Sequence, residues 1–239
     1  MQDNIAALRS WIAESDNIVF FGGAGVSTES GIPDFRSTGG LYRQEYKYPP
    51  EEILSHSFFE RNPEEFFRFY RAKMIPPADV RPNAAHIRLA ELEREGKLRA
   101  VITQNIDGLH QMAGSRRVIE LHGSVHRCHC TKCGKACPEE TVNTGEGVPR
   151  CTCGGILRPD VVLYEEALNE RDITDAVNYI RAADVLIVGG TSLAVYPAAG
   201  LLRYYTGQKL ALINMGATGY DASADLLIRE RIGEVFAQV

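Results

Sequence analysis

The chain has 239 residues, 44% of them hydrophobic and 24% charged, with a formal net charge of −5. That usage suits a globular protein with its own core and excludes a disordered tail or a fibre. No apolar run reaches the ~18 residues a membrane-spanning helix needs, and the acidic balance argues against non-specific nucleic-acid binding.

Met1 opens onto Gln2, Asp3 and Asn4 without a basic stretch ahead of an apolar core, so no signal peptide is expected. Ile5, Leu8, Trp11 and Ile12 then follow helical spacing, with Asp3 or Asn4 placed to cap. Residues 17–21 form a short apolar run that ends at glycine, the pattern of a buried strand. Residues 98–103, 184–188 and 209–214 repeat that pattern, and 224–228 gives a fifth. Helical patterns over 83–95 and 170–182 lie between them. Strands that alternate with helices predict a parallel sheet covered on both faces, with ligands beyond the carboxyl ends of its strands.

Two stretches break this rhythm. Residues 38–77 carry Phe58, Phe59, Phe66, Phe67, Phe69 and Tyr70, which predicts a helical insertion with its own small aromatic core. Residues 127–154 carry the cysteines. The main domain is therefore assigned to 1–37, 78–126 and 155–239.

All six cysteines fall between Cys128 and Cys153. A disulfide framework would spread its cysteines to staple distant segments, so a local metal site fits better. Cys130 and Cys133 form one pair, and Cys151 and Cys153 a second at the roughly 15–20-residue separation of a zinc ribbon. Four thiolates saturate zinc and leave no open position, so the expected site is structural. The second pair is one residue shorter than the usual spacing, which leaves Cys128 or His129 open as a substitute ligand. Otherwise Cys128 and Cys137 are read as small buried apolar residues.

The first strand runs into Gly22, Gly23, Ala24 and Gly25, like the opening of a dinucleotide fingerprint, with Thr28 where its third glycine would stand. Ser27, Thr28 and Ser30 add hydroxyls near main-chain amides, and Arg36 adds a bidentate phosphate donor. Polar clusters at 103–110, at 189–193 and at Asn214 follow other predicted strands, so they should face one crevice. Among six histidines, His122 stands out at the junction between sheet and cysteine module, where clefts form.

Taken in this order, Gly23–Ser27, Gly31–Arg36, Thr103–Asp107, His122–Gly123, the cysteine pairs and Gly190–Ser192 resemble the sirtuins, the NAD-dependent protein deacylases, over nearly the whole chain. The resemblance implies an α/β, Rossmann-like domain with a helical insertion and a zinc-binding module. It also implies NAD as a consumed co-substrate and one structural zinc held by Cys130, Cys133, Cys151 and Cys153. Gly23, Ala24, Ser27, Asp34, Phe35 and Arg36 would line the cofactor loop, with Ile32 and Asp107 near the nicotinamide. Gln104, Asn105 and Asp107 would surround the nicotinamide-ribose, and Gly190, Thr191, Ser192 and Asn214 the adenosine half. His122 would act as general base, with Asn105 also catalytic.

The implied reaction is deacetylation of protein lysine, releasing nicotinamide and O-acetyl-ADP-ribose. An acyl-peptide strand would lie between 161–166 and 192–195, with Phe35, Val162, Leu163, Tyr164 and Val195 contacting it. Glu165 departs from the family, where glycine is usual. Tyr70 and Lys73 replace the Tyr-x-x-Arg pair of sirtuins that remove acidic acyl groups, so acetyl is favoured over succinyl. A desuccinylase or broader deacylase, a mono-ADP-ribosyltransferase, and a non-enzymatic zinc-bearing binding module are the alternatives. The expected partners are acylated proteins or peptides, with no nucleic acid and no membrane. A cytoplasmic monomer is the default expectation.

Overall fold

The computed structural model describes residues 2–35, 40 and 46–239; Arg36 lies outside them. In chain order the helices are α1 (Gln2–Glu14), α2 (Pro50–Ile53), α3 (His56–Arg61), α4 (Pro63–Lys73), α5 (Ala84–Arg94), α6 (Leu109–Ala113), α7 (Glu140–Asn143), α8 (Glu170–Ala182) and α9 (Ile232–Phe236). The strands are β1 (Ile18–Gly22), β2 (Leu98–Thr103), β3 (Val118–Glu120), β4 (Gly123–Cys130), β5 (Ala136–Cys137), β6 (Leu157–Val161), β7 (Val185–Gly189), β8 (Leu210–Ile213) and β9 (Leu226–Ile228).

Six strands form one parallel sheet in the order β3-β2-β1-β7-β8-β9. The chain therefore builds outward from β1 in one direction, then crosses back and builds outward from β7 in the other. The crevice at that reversal, between β1 and β7, is where such sheets bind ligands. Strand periodicity divides the core. Ile18 and Phe20 face α1, α5 and α9, while Val19 and Phe21 face α8 and the 3-10 turn at Ala198–Tyr204. All five residues of β1 are buried, which is why it reads as an unbroken apolar run.

Asn4 does not cap α1. It lies within the helix, and its amide donates to the Leu227 carbonyl at 2.9 Å. Caps elsewhere follow the sequence. Asn83 accepts from Ala85 N–H while the His86 ring accepts from Asn83 N–H, a reciprocal box that starts α5. Asn62 caps α4, Pro63 occupies its first turn with Glu64 and Glu65, and Arg71 and Lys73 sit in its last turn, each favourable to the helix dipole.

The remaining strands make a second, three-stranded antiparallel sheet, β5-β4-β6. The aromatics of α3 and α4 do not form a core of their own. Phe58, Phe59, Phe66, Phe67, Phe69 and Tyr70 share one cluster with Val125, Cys128, Leu157, Val161 and Leu163. Helical and cysteine-bearing segments thus make one lobe, because neither is large enough to bury its apolar face alone.

Cys128 and Cys137 depart from the expectation of lone apolar residues. They are opposite one another in the β4–β5 pair and are joined by a disulfide. The antiparallel register supplies the proximity that spacing along the chain did not reveal.

Candidate functional site

The carboxyl ends of β2, β1, β7 and β8 are aligned, with Gly22 opposite Thr103 and Gly189, and Gly189 opposite Ile213. Each strand there runs into one of the polar clusters. The glycine turn after β1 docks on the turn after β7: Gly25 N–H donates to the Gly190 carbonyl at 2.7 Å, and Gly23 N–H to the Gly189 carbonyl at 3.3 Å. Gly190 has φ +59°, and a Cβ there would lie 2.3 Å from Val26 N, so only glycine fits this contact.

A buried polar network joins the glycine turn to the loop after β2. Ser27 Oγ donates to Asp107 Oδ2 at 2.6 Å, Asn105 Nδ2 donates to Ser27 Oγ at 3.0 Å, and Leu109 N–H donates to Asp107 Oδ1 at 3.0 Å. Ser27, Asn105 and Asp107 are all buried. Burial raises the Asp107 pKa, and the bonds from Ser27 and Leu109 oppose that rise. Gln104 bridges to the β7 side, its Nε2 donating to Thr191 Oγ1 at 3.1 Å. Strand-end clusters that were separate in sequence therefore form one hydrogen-bonded floor.

His122 stands at the edge of that floor. Its Nδ1 lies 3.0 Å from the Gln104 carbonyl oxygen. A carbonyl only accepts, so Nδ1 carries the hydrogen and the neutral ring presents Nε2 as a proton acceptor. Burial lowers the His122 pKa, against the opposing carbonyl bond, which favours that neutral form. Gly123, next in the chain, has φ +77° and passes so close to Asp160 that a Cβ would sit 1.8 Å from its carbonyl oxygen. The histidine-glycine pair thus has a steric reason: the backbone must turn sharply into β4.

The other expected residues are more dispersed. Ile32, Asp34 and Phe35 are half-buried beyond the glycine turn, and Ile32 N–H donates to the Ser27 carbonyl at 3.2 Å. Ala24 is half-buried, Ser192 is exposed, and Asn214 is half-buried with its amide turned to the Gly216 carbonyl at 2.9 Å. Val162 packs on the large-domain cluster, Leu163 is buried in the smaller lobe, Tyr164 is exposed and Val195 is half-buried. Val162 N–H donates to the His122 carbonyl at 2.9 Å, which ties this segment to the histidine. Tyr70 is buried, stacked on Phe66, and donates to Asn143 Oδ1 at 3.2 Å.

Sequence reasoning missed a second polar group. His86, in α5, and His110, in α6, are fully buried with ring centroids 4.7 Å apart. A polar residue inside a helical pattern gave no signal for it.

The four expected metal ligands do converge. The Sγ atoms of Cys130, Cys133, Cys151 and Cys153 all lie within 4.8 Å of one another, with Cys130–Cys153 at 3.4 Å and Cys133–Cys151 at 3.9 Å. A tetrahedron of Zn–S bonds of ~2.3 Å requires sulfurs about 3.8 Å apart, so the cluster fits zinc. The shortened second pair still turns both sulfurs inward, through a turn closed by Gly154 N–H on the Cys151 carbonyl at 2.9 Å. Main-chain N–H groups of Cys133 and Lys132 lower the Cys130 thiol to about 6, while at Cys153 the Gly155 N–H is outweighed by the neighbouring sulfurs, which push that thiol up to about 11, so metal binding must release protons from the cluster. His129 is not a ligand here; its Nδ1 pairs with Asp160.

A parallel sheet with a glycine-turn crevice, a neutral histidine at its rim and a four-cysteine cluster defines a dinucleotide-binding α/β protein with a closed zinc site. Comparison with known proteins is more specific. The Sir2 family model matches residues 23–197. An NAD-dependent protein deacetylase of Clostridium acetobutylicum is 58% identical, over 99% of this chain and 98% of its own. A solved Sir2 variant with deacetylated p53 peptide and 3′-O-acetyl ADP-ribose superposes with a TM-score of 0.91 at 38% identity, covering 98% of this chain and 96% of its own. A Sir2–p53 peptide–NAD+ structure gives 0.87 at 39%, with the same coverage. The chain belongs to the Sir2 family.

Proposed function

We infer that the protein is an NAD-dependent protein-lysine deacetylase that consumes acetyl-lysine, NAD and one water and produces free lysine, nicotinamide and O-acetyl-ADP-ribose. The observation that carries this reading is the placement of two bonded groups side by side on the loop after β2: Ser27 with Asp107 and Asn105, and the adjacent Gln104 with His122. NAD, when bound, supplies a ribose carbon made electrophilic by a good leaving group. The chain's own residues do the rest. Asn105 and Asp107, held rigid by Ser27, orient the nicotinamide-ribose end, and a weak amide nucleophile needs such positioning more than activation. His122 Nε2 takes a proton from a ribose hydroxyl, and the Gln104 carbonyl stabilises the imidazolium that results.

The glycine contact at Gly25 and Gly190 brings bare backbone to the crevice, a fit for the pyrophosphate, with Gly23, Ala24, Ile32, Asp34 and Phe35 on the same loop. Thr191, Ser192 and Asn214 serve the adenosine half. The segments 161–166 and 192–195 receive the acyl-peptide, through Val162, Leu163, Tyr164 and Val195. Cys130, Cys133, Cys151 and Cys153 hold one zinc, which folds the small lobe and takes no part in the reaction.

Acetyl is the favoured acyl group. Tyr70 is buried and engaged with Asn143, so it does not present its hydroxyl to a ligand carboxylate. Lys73 lies over the Tyr46 ring at 5.6 Å and lacks a bidentate fork. The test is nicotinamide release with and without an acetyl-lysine peptide, read with product masses. His122→Ala should lower turnover at least ~100-fold, the scale of one general base, while NAD binding persists. A variant that kept full turnover would remove His122 from the mechanism. Label from NAD accumulating on protein without deacetylation would favour the ADP-ribosyltransferase alternative.

A further inference from the structure

Glu165 stands in a left-handed backbone conformation, φ +75°, which side chains rarely adopt and glycine adopts freely. The backbone has kept the geometry a glycine would give, while the side chain has acquired partners. Glu165 Oε2 accepts from Ser57 N–H at 2.9 Å, and Oε1 accepts from Ser57 Oγ at 3.0 Å. Ser57 is in the first turn of α3, where an N–H has no partner within the helix. Two hydrogen bonds to one carboxylate from one residue fix its plane, unlike a loose surface ion pair.

The neighbours show which way this clamp pulls. Tyr164 N–H donates to the Leu54 carbonyl at 2.9 Å, and His56 N–H donates to the Tyr164 carbonyl at 3.0 Å. One edge of the segment is thus sewn to the start of α3. Glu166 anchors the turn from within. It accepts from Leu163 N–H at 2.9 Å and from Arg158 at 2.6 and 3.0 Å. Among the described residues, the main-chain N–H and C=O of Glu165 itself have no hydrogen-bond partner. Its side chain is held while its own peptide groups make no bond, inside a turn closed by Glu166 N–H on the Leu163 carbonyl at 3.1 Å.

We propose that Glu165 is a positioning residue for the acyl-peptide: its carboxylate latches the segment 161–166 to the first turn of α3, fixing the unbonded main-chain groups of Glu165 against which the peptide lies. This rests on the reading of that segment as the peptide platform. A family glycine reaches the same conformation without cost but without a hold; Glu165 trades that freedom for a fixed edge.

Glu165→Ala keeps the backbone demand and removes the latch. Glu165→Gly removes both. Glu165→Gln keeps an acceptor and the shape. Peptide KM should rise about five- to tenfold in the alanine and glycine variants, the scale of a lost charge-assisted bond, with kcat and NAD KM within about twofold of the parent. Glutamine should recover most of the loss. Because glycine relieves the backbone, its melting midpoint should exceed that of alanine while its peptide KM stays high. A merely structural role predicts the reverse, with glycine restoring KM. Hydrogen exchange at Ser57 N–H, measured without substrate, reads the latch directly and should quicken in both variants. Unchanged exchange, or quickened exchange with unchanged peptide KM, overturns the proposal. Failure of the parent protein to deacetylate any acetyl-lysine peptide with NAD would instead remove the functional reading beneath it, leaving the exchange result standing.

Discussion

The His86–His110 pair sets an acid limit on stability that can be worked out in advance. Both residues are fully buried, and His110 Nδ1 and Nε2 and His86 Nε2 have no hydrogen-bond partner among the described residues. Burial pushes His86 down to about 4 and His110 well below its ordinary range, with His86 adding to the effect on His110. Both are therefore neutral in the folded protein near pH 7. The unfolded chain binds protons at these positions below pH ~6.5 and the folded chain does not, so stability falls as pH falls. For His86 alone, moving from pH 7.5 to 5 should cost about 2 kcal/mol, from a folded value of about 4 and an unfolded value of ~6.5. His110 adds in the same direction. The decisive variant is His86→Gln. Glutamine does not titrate, yet at this position it can still reach back to Asn83 N–H and complete the α5 box. Urea unfolding followed by Trp11, packed beside the large-domain core, should show the parent losing about 2 kcal/mol more than the variant over that range. Thiolate protonation in the cysteine cluster is common to both proteins and cancels in the difference. Equal pH slopes in the two proteins would refute the argument.

Three further outcomes follow from the site. Gly190→Ala forces a left-handed alanine against Val26 N, so it should lower stability by about 1–3 kcal/mol and raise the NAD KM at least several-fold; an unchanged NAD KM by steady-state titration would separate this contact from the crevice. Metal analysis of protein purified without chelators should find about one zinc per chain, and chelation should speed amide exchange in β4, β5 and β6 while β1 and β7 stay protected; equal loss of protection in both sheets would mean that the zinc supports the whole fold. In a panel of acetyl, propionyl, butyryl and succinyl peptides, kcat/KM should be highest for acetyl and at least ~10-fold lower for succinyl, because Lys73 offers a point charge without a fork. A succinyl preference, read by mass spectrometry, would overturn the assignment at Tyr70 and Lys73.

Much of the large domain was legible because its strands are buried on both faces. Ile18–Phe21, Val185–Val188 and Leu210–Ile213 are unbroken apolar runs, and such runs carry their own evidence. β3 was not legible: three residues, two of them half-buried, become a strand only by pairing with β2. The second sheet was hidden for a related reason. His126, Arg127 and His129 interrupt β4, and its partner β6 lies far along the chain. The cysteines show the same division. Four converged as their spacing suggested, but the Cys128–Cys137 bond depends on strand register, which spacing does not encode. Glu165 was visible as a departure from glycine; that Ser57 answers it could be seen only once α3 was in place.

His122 is one of several points that join the small lobe to the crevice, beside Val125 N–H on the Ile106 carbonyl at 3.0 Å and His126 Nε2 on the Asp107 carbonyl at 3.1 Å, and this gives the zinc cluster a structural place near the proposed chemistry without a catalytic role. His122 is bonded in two directions: Nδ1 to the Gln104 carbonyl on the large sheet, and its own carbonyl to Val162 N–H beside β6. β4 starts at the next residue and ends at Cys130, so one strand carries the proposed base at one end and a metal ligand at the other. Its pairing with β6 leads on to the segment of Tyr164 and Glu165. One metal ligand, Cys130, lies in the small sheet, while His122 directly precedes β4 and the segment of Glu165 follows β6, so the three flank the same sheet. A lobe of this size, with a core shared between its helical and cysteine-bearing parts, gains from the zinc the rigidity that burial alone would not supply. Rigidity there fixes the distance between the proton acceptor and the peptide edge, which are the two groups the proposed reaction requires to be held in register.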